Sequence, residues 1–154
     1  MKPSFLLLAG ADLALLAITA ILGLRIQGTE WFLQHFLLGM LSGLFTCLVH
    51  VVFFMYFVVQ HKVMHQAVVA GEADRQLLAR TDALKSRALR ASMIGISAIL
   101  LAVGLGAAIG ILVRPEVHLA TAFAAIGLNG VVFAYQYMLL GEFGAVFSAA
   151  FPEG

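Results

Sequence analysis

Histidines carry most of this chain's potential for chemistry, and four of the five lie in the stretch Trp31–His65. The stretch is almost purely apolar over Phe36–Val59, so His35 and His50 fall in a predicted membrane helix. At about 100° per residue, both histidines share one narrow face with small, polar and aromatic residues. The other members of this face are Gly39, Ser42, Thr46, Phe53 and Phe57. The opposite face is apolar and comprises Leu37, Leu41, Leu44, Leu48, Val51, Val52, Met55 and Val59. This layout is typical of a membrane helix that turns its polar stripe toward other helices.

Two more apolar segments carry polar stripes of the same kind. His118, Asn129 and Gln136 fall on one face of the last segment. Asp12 falls on one face of the first segment, together with Thr19 and Gly23. The third segment has no ionisable group, but small residues recur along it every fourth position and permit close helix approach. They are Ala102, Gly106 and Gly110.

The composition is that of an integral membrane protein. Apolar residues make up 62% of the 154 residues, charged residues 11%, and mean hydropathy is +1.02. A soluble domain has about twice that charged fraction. The net charge of +1 gives no basis for nucleic-acid binding. The single cysteine, Cys47, lies in a span, so neither a disulfide framework nor a thiolate metal site is expected.

The predicted fold is an all-α integral membrane protein, a single four-transmembrane-helix bundle over residues 1–154. The four spans are expected at about 5–24, 31–59, 93–113 and 117–141. Residues 60–92 contain no proline and only Gly71 as a breaker, so they predict a helical cytoplasmic extension. The N-terminal apolar run is long for a signal peptide and is interpreted as the first span. No internal repeat is evident.

Lysine and arginine set the predicted orientation. Seven of the nine lie at the N-terminus or in residues 60–92, and only Arg25 and Arg114 lie in the other two connections. Because cytoplasmic loops are enriched in these residues, both termini are predicted to be cytoplasmic, in a bacterial inner membrane.

Depth along the helices sorts the polar residues into layers. His35 and His118 share the periplasmic level, Asp12 and Asn129 lie near mid-depth, and His50 lies toward the cytoplasm. His35 and His50 are about 22 Å apart along their helix. This separation resembles the arrangement in membrane b-type cytochromes, which stack two haems across the bilayer. The resemblance covers only the two spans with histidines. It implies at most one haem b, between His35 and His118, because two bis-histidine haems need four ligands and the spans hold three histidines.

A second hypothesis concerns an intramembrane polar pocket formed by His50, Asp12, Asn129 and Gln136. Asp12 is expected to pair with His50, or to be stabilised by Thr46 and Asn129, in a pocket that handles protons or binds a quinone. The alternative for this group is simple hydrogen bonding between helices. No catalytic motif is present. His61 and His65 are four residues apart but lack a nearby carboxylate, so they are interpreted as a solvated helix face and no metal site is predicted.

These observations favour an accessory or cofactor-carrying subunit of a larger energy-converting complex of the inner membrane. Its expected partners are other membrane subunits and lipid, and its expected cofactor is one haem b or a bound quinone. A structural or assembly protein without cofactor is one alternative. A small proton-coupled transporter or channel that uses Asp12 is the other.

Overall fold

The computed structural model describes residues 1–26, 31–109 and 112–151. Four α-helices account for nearly all of them: α1 (Lys2–Leu24), α2 (Phe32–Val69), α3 (Arg75–Ala107) and α4 (Pro115–Ala150). All four are long and apolar enough to cross a bilayer. The predicted all-α class is therefore confirmed, and so is the number of helices that are long and apolar enough to span a membrane.

The helix boundaries differ from the predicted spans mainly in length. α1 starts at Lys2 with Pro3 in its first turn, where proline's missing N–H costs no hydrogen bond. α4 continues past residue 141 to Ala150. α3 ends at Ala107, short of the predicted residue 113, at the end of a glycine-rich stretch. Glycine is a poor helix former, so this stretch favours an early end.

Residues 60–92 are helical on both sides of a short turn. α2 runs to Val69, and Gly71 takes a positive φ of 78°, a conformation that glycine adopts without strain. The Asp74 side chain then accepts a hydrogen bond from the backbone N–H of Gln76 at 2.8 Å and caps α3. The predicted break at Gly71 is therefore confirmed.

The helices form a four-cornered bundle in which each packs against its two neighbours. The contacts join α1 to α2, α2 to α3, α3 to α4 and α4 back to α1, so α1 and α3 occupy opposite corners of the described bundle. The polar face of α2 points inward, because Ser42, Thr46 and His50 are buried. The eight residues of its predicted apolar face are all exposed to the surroundings of the bundle. The predicted division of α2 into a polar inner face and an apolar outer face is confirmed.

The two ends of the bundle are filled differently. At one end, here called the aromatic end, phenylalanine rings from three helices form a continuous core. Phe5 lies 5.3 Å from Phe53 and 6.1 Å from Phe133, measured between ring centroids. The end near the α1–α2 and α3–α4 connections, here called the histidine end, contains His35 and His118 and a cavity. The packing at the aromatic end leaves the histidine end as the place where a ligand could enter.

The two helical hairpins repeat in register, although the sequence shows no evident repeat. Helices end at Leu24 and Ala107 and begin at Phe32 and Pro115, and each pair is 83 residues apart (24 and 107; 32 and 115). The five buried residues of α1 each have a buried counterpart in α3 at the same 83-residue offset. The pairs are Phe5 and Ala88, Ala9 and Ser92, Asp12 and Gly95, Leu16 and Ile99, and Thr19 and Ala102. Few of these pairs are chemically alike, which is why the sequence alone does not show the repeat.

Candidate functional site

The two histidines predicted to share a depth lie next to each other at the histidine end. His35 is in the first turn of α2 and His118 in the first turn of α4. Their ring centroids are 6.2 Å apart and the rings are inclined at 76°. Both side chains are half-buried. The structure thus brings together the pair that the sequence analysis assigned to a haem.

A glycine on the neighbouring helix makes room for each histidine. A Cβ at Gly23 of α1 would lie 2.7 Å from Cε1 of His35, and a Cβ at Gly106 of α3 would lie 2.7 Å from Cε1 of His118. Both distances are shorter than a van der Waals contact, so each imidazole packs directly on a helix backbone that only glycine leaves bare. From the sequence, Gly106 was predicted only to belong to a ridge of small residues for helix packing, and its role beside His118 was missed.

A backbone carbonyl orients the ring of His35. The Nδ1 of His35 lies 3.0 Å from the carbonyl oxygen of Thr19. A carbonyl only accepts, so Nδ1 carries the proton and Nε2 of the neutral ring keeps a free lone pair. Histidine ligands of metals are commonly held in this way, through a hydrogen bond from the other ring nitrogen. The buried Nδ1 of His118, by contrast, is outside hydrogen-bonding geometry with any described residue.

A cavity of about 640 Å³ opens beside the two histidines and is lined by all four helices. This is within the usual range for small-molecule and cofactor sites, about 300–1,000 Å³. Most of the lining is apolar, and small residues such as Gly39 and Ala122 are part of it. Thr19 and Ser42 provide hydroxyl groups on the wall formed by α1 and α2, with their oxygens 3.3 Å apart. The cavity therefore has an apolar interior, two imidazoles and one polar wall.

Asp12 lies beneath that polar wall and is fully buried. The hydroxyl of Thr46 is 2.9 and 3.1 Å from the two carboxyl oxygens and donates to them. Of the two arrangements expected for Asp12, stabilisation by Thr46 is therefore present. Pairing with His50 is not, and Asn129 also bonds elsewhere, because its amide is engaged with His50 and with the α3 and α4 backbones. The four residues of the predicted polar pocket thus form two separate groups.

His50, Asn129 and Gln136 form the second group, at the centre of the bundle and fully buried. The Asn129 amide nitrogen donates to the Ala125 carbonyl at 2.9 Å, which turns Oδ1 toward Nε2 of His50 at 2.8 Å. His50 therefore donates through Nε2, and its Nδ1 accepts from Gln136 Nε2 at 3.0 Å. Both ring nitrogens of His50 are thus satisfied within the protein, which leaves no lone pair for a metal.

Two α3 residues complete the His50 network and were missed by the sequence analysis. Ser92 accepts from Gln136 at 3.2 Å and donates to the backbone carbonyl of His50 at the same distance. Gly95 lies against the imidazole, and a Cβ there would overlap the ring atoms. A lone serine and a lone glycine in an apolar helix are common, so the sequence contained no signal that marked them.

The described residues contain no group of three or more histidine, cysteine or acidic side chains that could hold a metal ion. A porphyrin supplies four equatorial nitrogens itself, so a haem needs only the two axial imidazoles. Away from the cavity, His61 is hydrogen-bonded to Thr81 at 3.1 Å and lies 3.6 Å from Asp82. The expectation that this histidine lacks a nearby carboxylate was therefore wrong, because α3 folds back along α2 and brings Asp82 to it. The hydrogen bond from Lys85, at 2.7 Å, holds the pKa of Asp82 below its usual value.

Comparison with known proteins gives no family. No protein-family model, no curated protein and no solved structure matches this chain. The assignment of function therefore depends on the geometry of the site.

Proposed function

We propose that this protein is a cofactor-carrying subunit of an inner-membrane redox complex and binds one haem b between His35 and His118. The observation that carries the proposal is the pair of imidazoles on opposite helices, held 6.2 Å apart beside a cavity of about 640 Å³. The other buried histidine, His50, has both nitrogens occupied, so the outer pair is the one available to a metal.

The spacing of the two rings suits axial ligation. Metal–imidazole bonds are about 2.0–2.1 Å long, and the ring centroid lies about 1 Å beyond the ligating nitrogen, so two axial imidazoles place their centroids about 6 Å apart. The observed separation is 6.2 Å. The hydrogen bond from His35 Nδ1 to Thr19 leaves Nε2 as the ligating atom. Bound haem would supply one-electron redox chemistry, and the protein's part is to orient the ligands and exclude water.

The proposed partners are lipid and other membrane subunits. The helices and their short connections take up nearly the whole described chain, and the surface of the four spans is rich in exposed leucine, valine and isoleucine. An electron carrier also needs a donor and an acceptor within reach of its cofactor. A redox subunit surrounded by other membrane subunits has its apolar surface covered and has a donor and an acceptor within reach.

A quinone is a second occupant that the cavity would accept, because the hydroxyls of Thr19 and Ser42 lie on its wall. A third function, proton-coupled transport, is favoured by the burial of Asp12, since a carboxylate in a span costs about 2.5–3.5 kcal/mol and usually serves a purpose. Proton flux into vesicles that is abolished by Asp12→Asn would support it. The remaining alternative is a structural or assembly protein in which the hydrogen-bonded layers only hold the helices together.

A reduced-minus-oxidised absorption spectrum of the protein purified in mild detergent tests the haem proposal. We expect the bands of low-spin haem b at one haem per chain, because two axial imidazoles give a low-spin iron. The same preparation is extracted for quinone as a parallel measurement. Protein that purifies colourless and also fails to bind added haemin would overturn the proposal in favour of the structural alternative.

The orientation belongs to the same proposal, with both termini and residues 60–92 cytoplasmic on the lysine and arginine bias. In a Cys47→Ala background, Glu72→Cys and Glu116→Cys place single thiols near the two opposite ends of the bundle, and both positions are exposed. An impermeant maleimide added to intact right-side-out vesicles should label only the cysteine at 116. Labelling of the cysteine at 72 instead would reverse the orientation.

A further inference from the structure

The repeat of the two hairpins extends to the site itself. His35 lies twelve residues after Gly23, and His118 lies twelve residues after Gly106. Each glycine supports its histidine at the same 2.7 Å Cβ–Cε1 distance. Each half of the chain therefore contributes one histidine that packs on a glycine twelve residues before it. The hydrogen bonds of the two rings differ, because Nδ1 of His35 bonds to the Thr19 carbonyl and the buried Nδ1 of His118 has no partner among the described residues.

Equivalent residues also meet across the centre of the bundle. His35 and His118, which are 83 residues apart, lie 6.2 Å apart between ring centroids. His50 and Phe133, at the same offset, stack at 4.9 Å and 25°. Because α1 and α3 run in one direction and α2 and α4 in the other, the helices are arranged as two halves about an approximate two-fold axis along the bundle. Parallel repeats in membrane proteins are related by an axis of this kind, along the membrane normal.

The halves have diverged at the other polar positions of the interior. Asp12 corresponds to Gly95, Thr19 to Ala102 and His50 to Phe133. The remaining buried polar residues that have a counterpart at this offset also correspond to different residues: Ser42 to Ala125, Thr46 to Asn129, Ser92 to Ala9, and Gln136 to Phe53. Among polar residues facing the described interior, only the histidines are the same in both halves. A site that stays symmetric in an otherwise asymmetric interior points to a ligand that needs the same contact on two sides.

We infer that the two halves bind opposite faces of one planar metalloporphyrin, whose plane contains the two-fold axis and so stands perpendicular to the membrane. This inference rests on the proposed haem and adds its orientation and the equivalence of its ligands. His35 and His118 are related by the two-fold axis and lie at one level. The line that joins them is therefore perpendicular to that axis. Axial bonds lie along that line, and the porphyrin plane is perpendicular to the bonds.

Electron paramagnetic resonance of the ferric haem in oriented membrane multilayers measures this orientation directly. The largest g component of a low-spin bis-histidine haem lies near the haem normal. We expect its signal to be strongest with the field in the membrane plane, within about 20°, the usual tilt of membrane helices. A maximum along the membrane normal, or no angular dependence in well-ordered multilayers, would overturn the inference while leaving the bound haem in place. Absence of the haem signal would remove the proposed function itself, and with it this inference.

A matched pair of glycine variants tests the equivalence of the two halves. Gly23→Ala and Gly106→Ala each place a methyl group against a ligand ring, and each should cause the same loss of bound haem. Gly10→Ala on α1 and Gly104→Ala on α3 are the controls, because nothing lies within 4 Å of a Cβ at either position. Haem lost from one glycine variant and fully retained in the other would contradict equivalent binding. Equal losses, with haem retained in both controls, would support it.

Discussion

Replacement of either His35 or His118 by alanine is expected to abolish the low-spin haem spectrum. Each ring is one of the two axial ligands in the proposed site, and the other buried histidine, His50, is held in hydrogen bonds to Asn129 and Gln136 and is not free to substitute. The membrane fold should persist, because the aromatic end and the His50 network do not depend on these two side chains. The measurement is the haem-to-protein ratio and the reduced-minus-oxidised spectrum of each purified variant.

Three further variants make this result specific to the ligands. His65→Ala, an exposed residue on the same helix as His35, should leave the spectrum unchanged. His50→Ala should lower stability but retain the haem. His118→Met should keep bound haem with a shifted spectrum, since methionine also ligates haem iron. A wild-type spectrum in both His35→Ala and His118→Ala would place the haem elsewhere and refute the assignment.

Gly95→Ala is expected to have the largest effect on stability of any single methyl addition in the bundle. A Cβ at this position would lie 2.8 Å from Oδ1 of Asn129 and closer still to the imidazole of His50. Both side chains are held in place, since His50 and Asn129 are fully buried and bonded to each other. Overpacking of a core costs about 1–3 kcal/mol and occasionally more. We expect about 3 kcal/mol here, because relief of the clash also breaks the His50–Asn129 hydrogen bond.

Thermal unfolding in detergent, followed by the loss of monodisperse protein, measures this effect. Gly104→Ala on the same helix meets nothing within 4 Å and should be neutral or slightly stabilising. The double variant Gly95→Ala with His50→Ala should be more stable than Gly95→Ala alone, because removal of the ring vacates the space that the methyl group needs. A Gly95→Ala protein as stable as the Gly104→Ala control would show that the helices are not packed as described.

The sequence by itself determined which segments are helices and which face of α2 is turned inward. A helix buries residues that recur with its own period, so the polar stripe from His35 to Phe57 and the apolar face from Leu37 to Val59 could be assigned without any knowledge of the neighbouring helices. Depth along a helix follows from residue number in the same way. This is why His35 and His118 could be placed at one level, and the structure brings them to 6.2 Å.

Only the tertiary structure decided the partner of each polar residue. Asp12 was equally compatible with His50 and with Thr46, and the choice depends on the rotation and approach of three helices at once. The same holds for Ser92, whose hydroxyl matters because the Gln136 amide lies opposite, and for Gly95 and Gly23, which matter because a histidine ring lies against each. The 83-residue register was also invisible in the sequence, because the two halves preserve which positions are buried rather than which residues fill them. Periodicity specifies the inward face of one helix, whereas a hydrogen bond or a close approach requires two atoms from different helices to meet within about 3 Å.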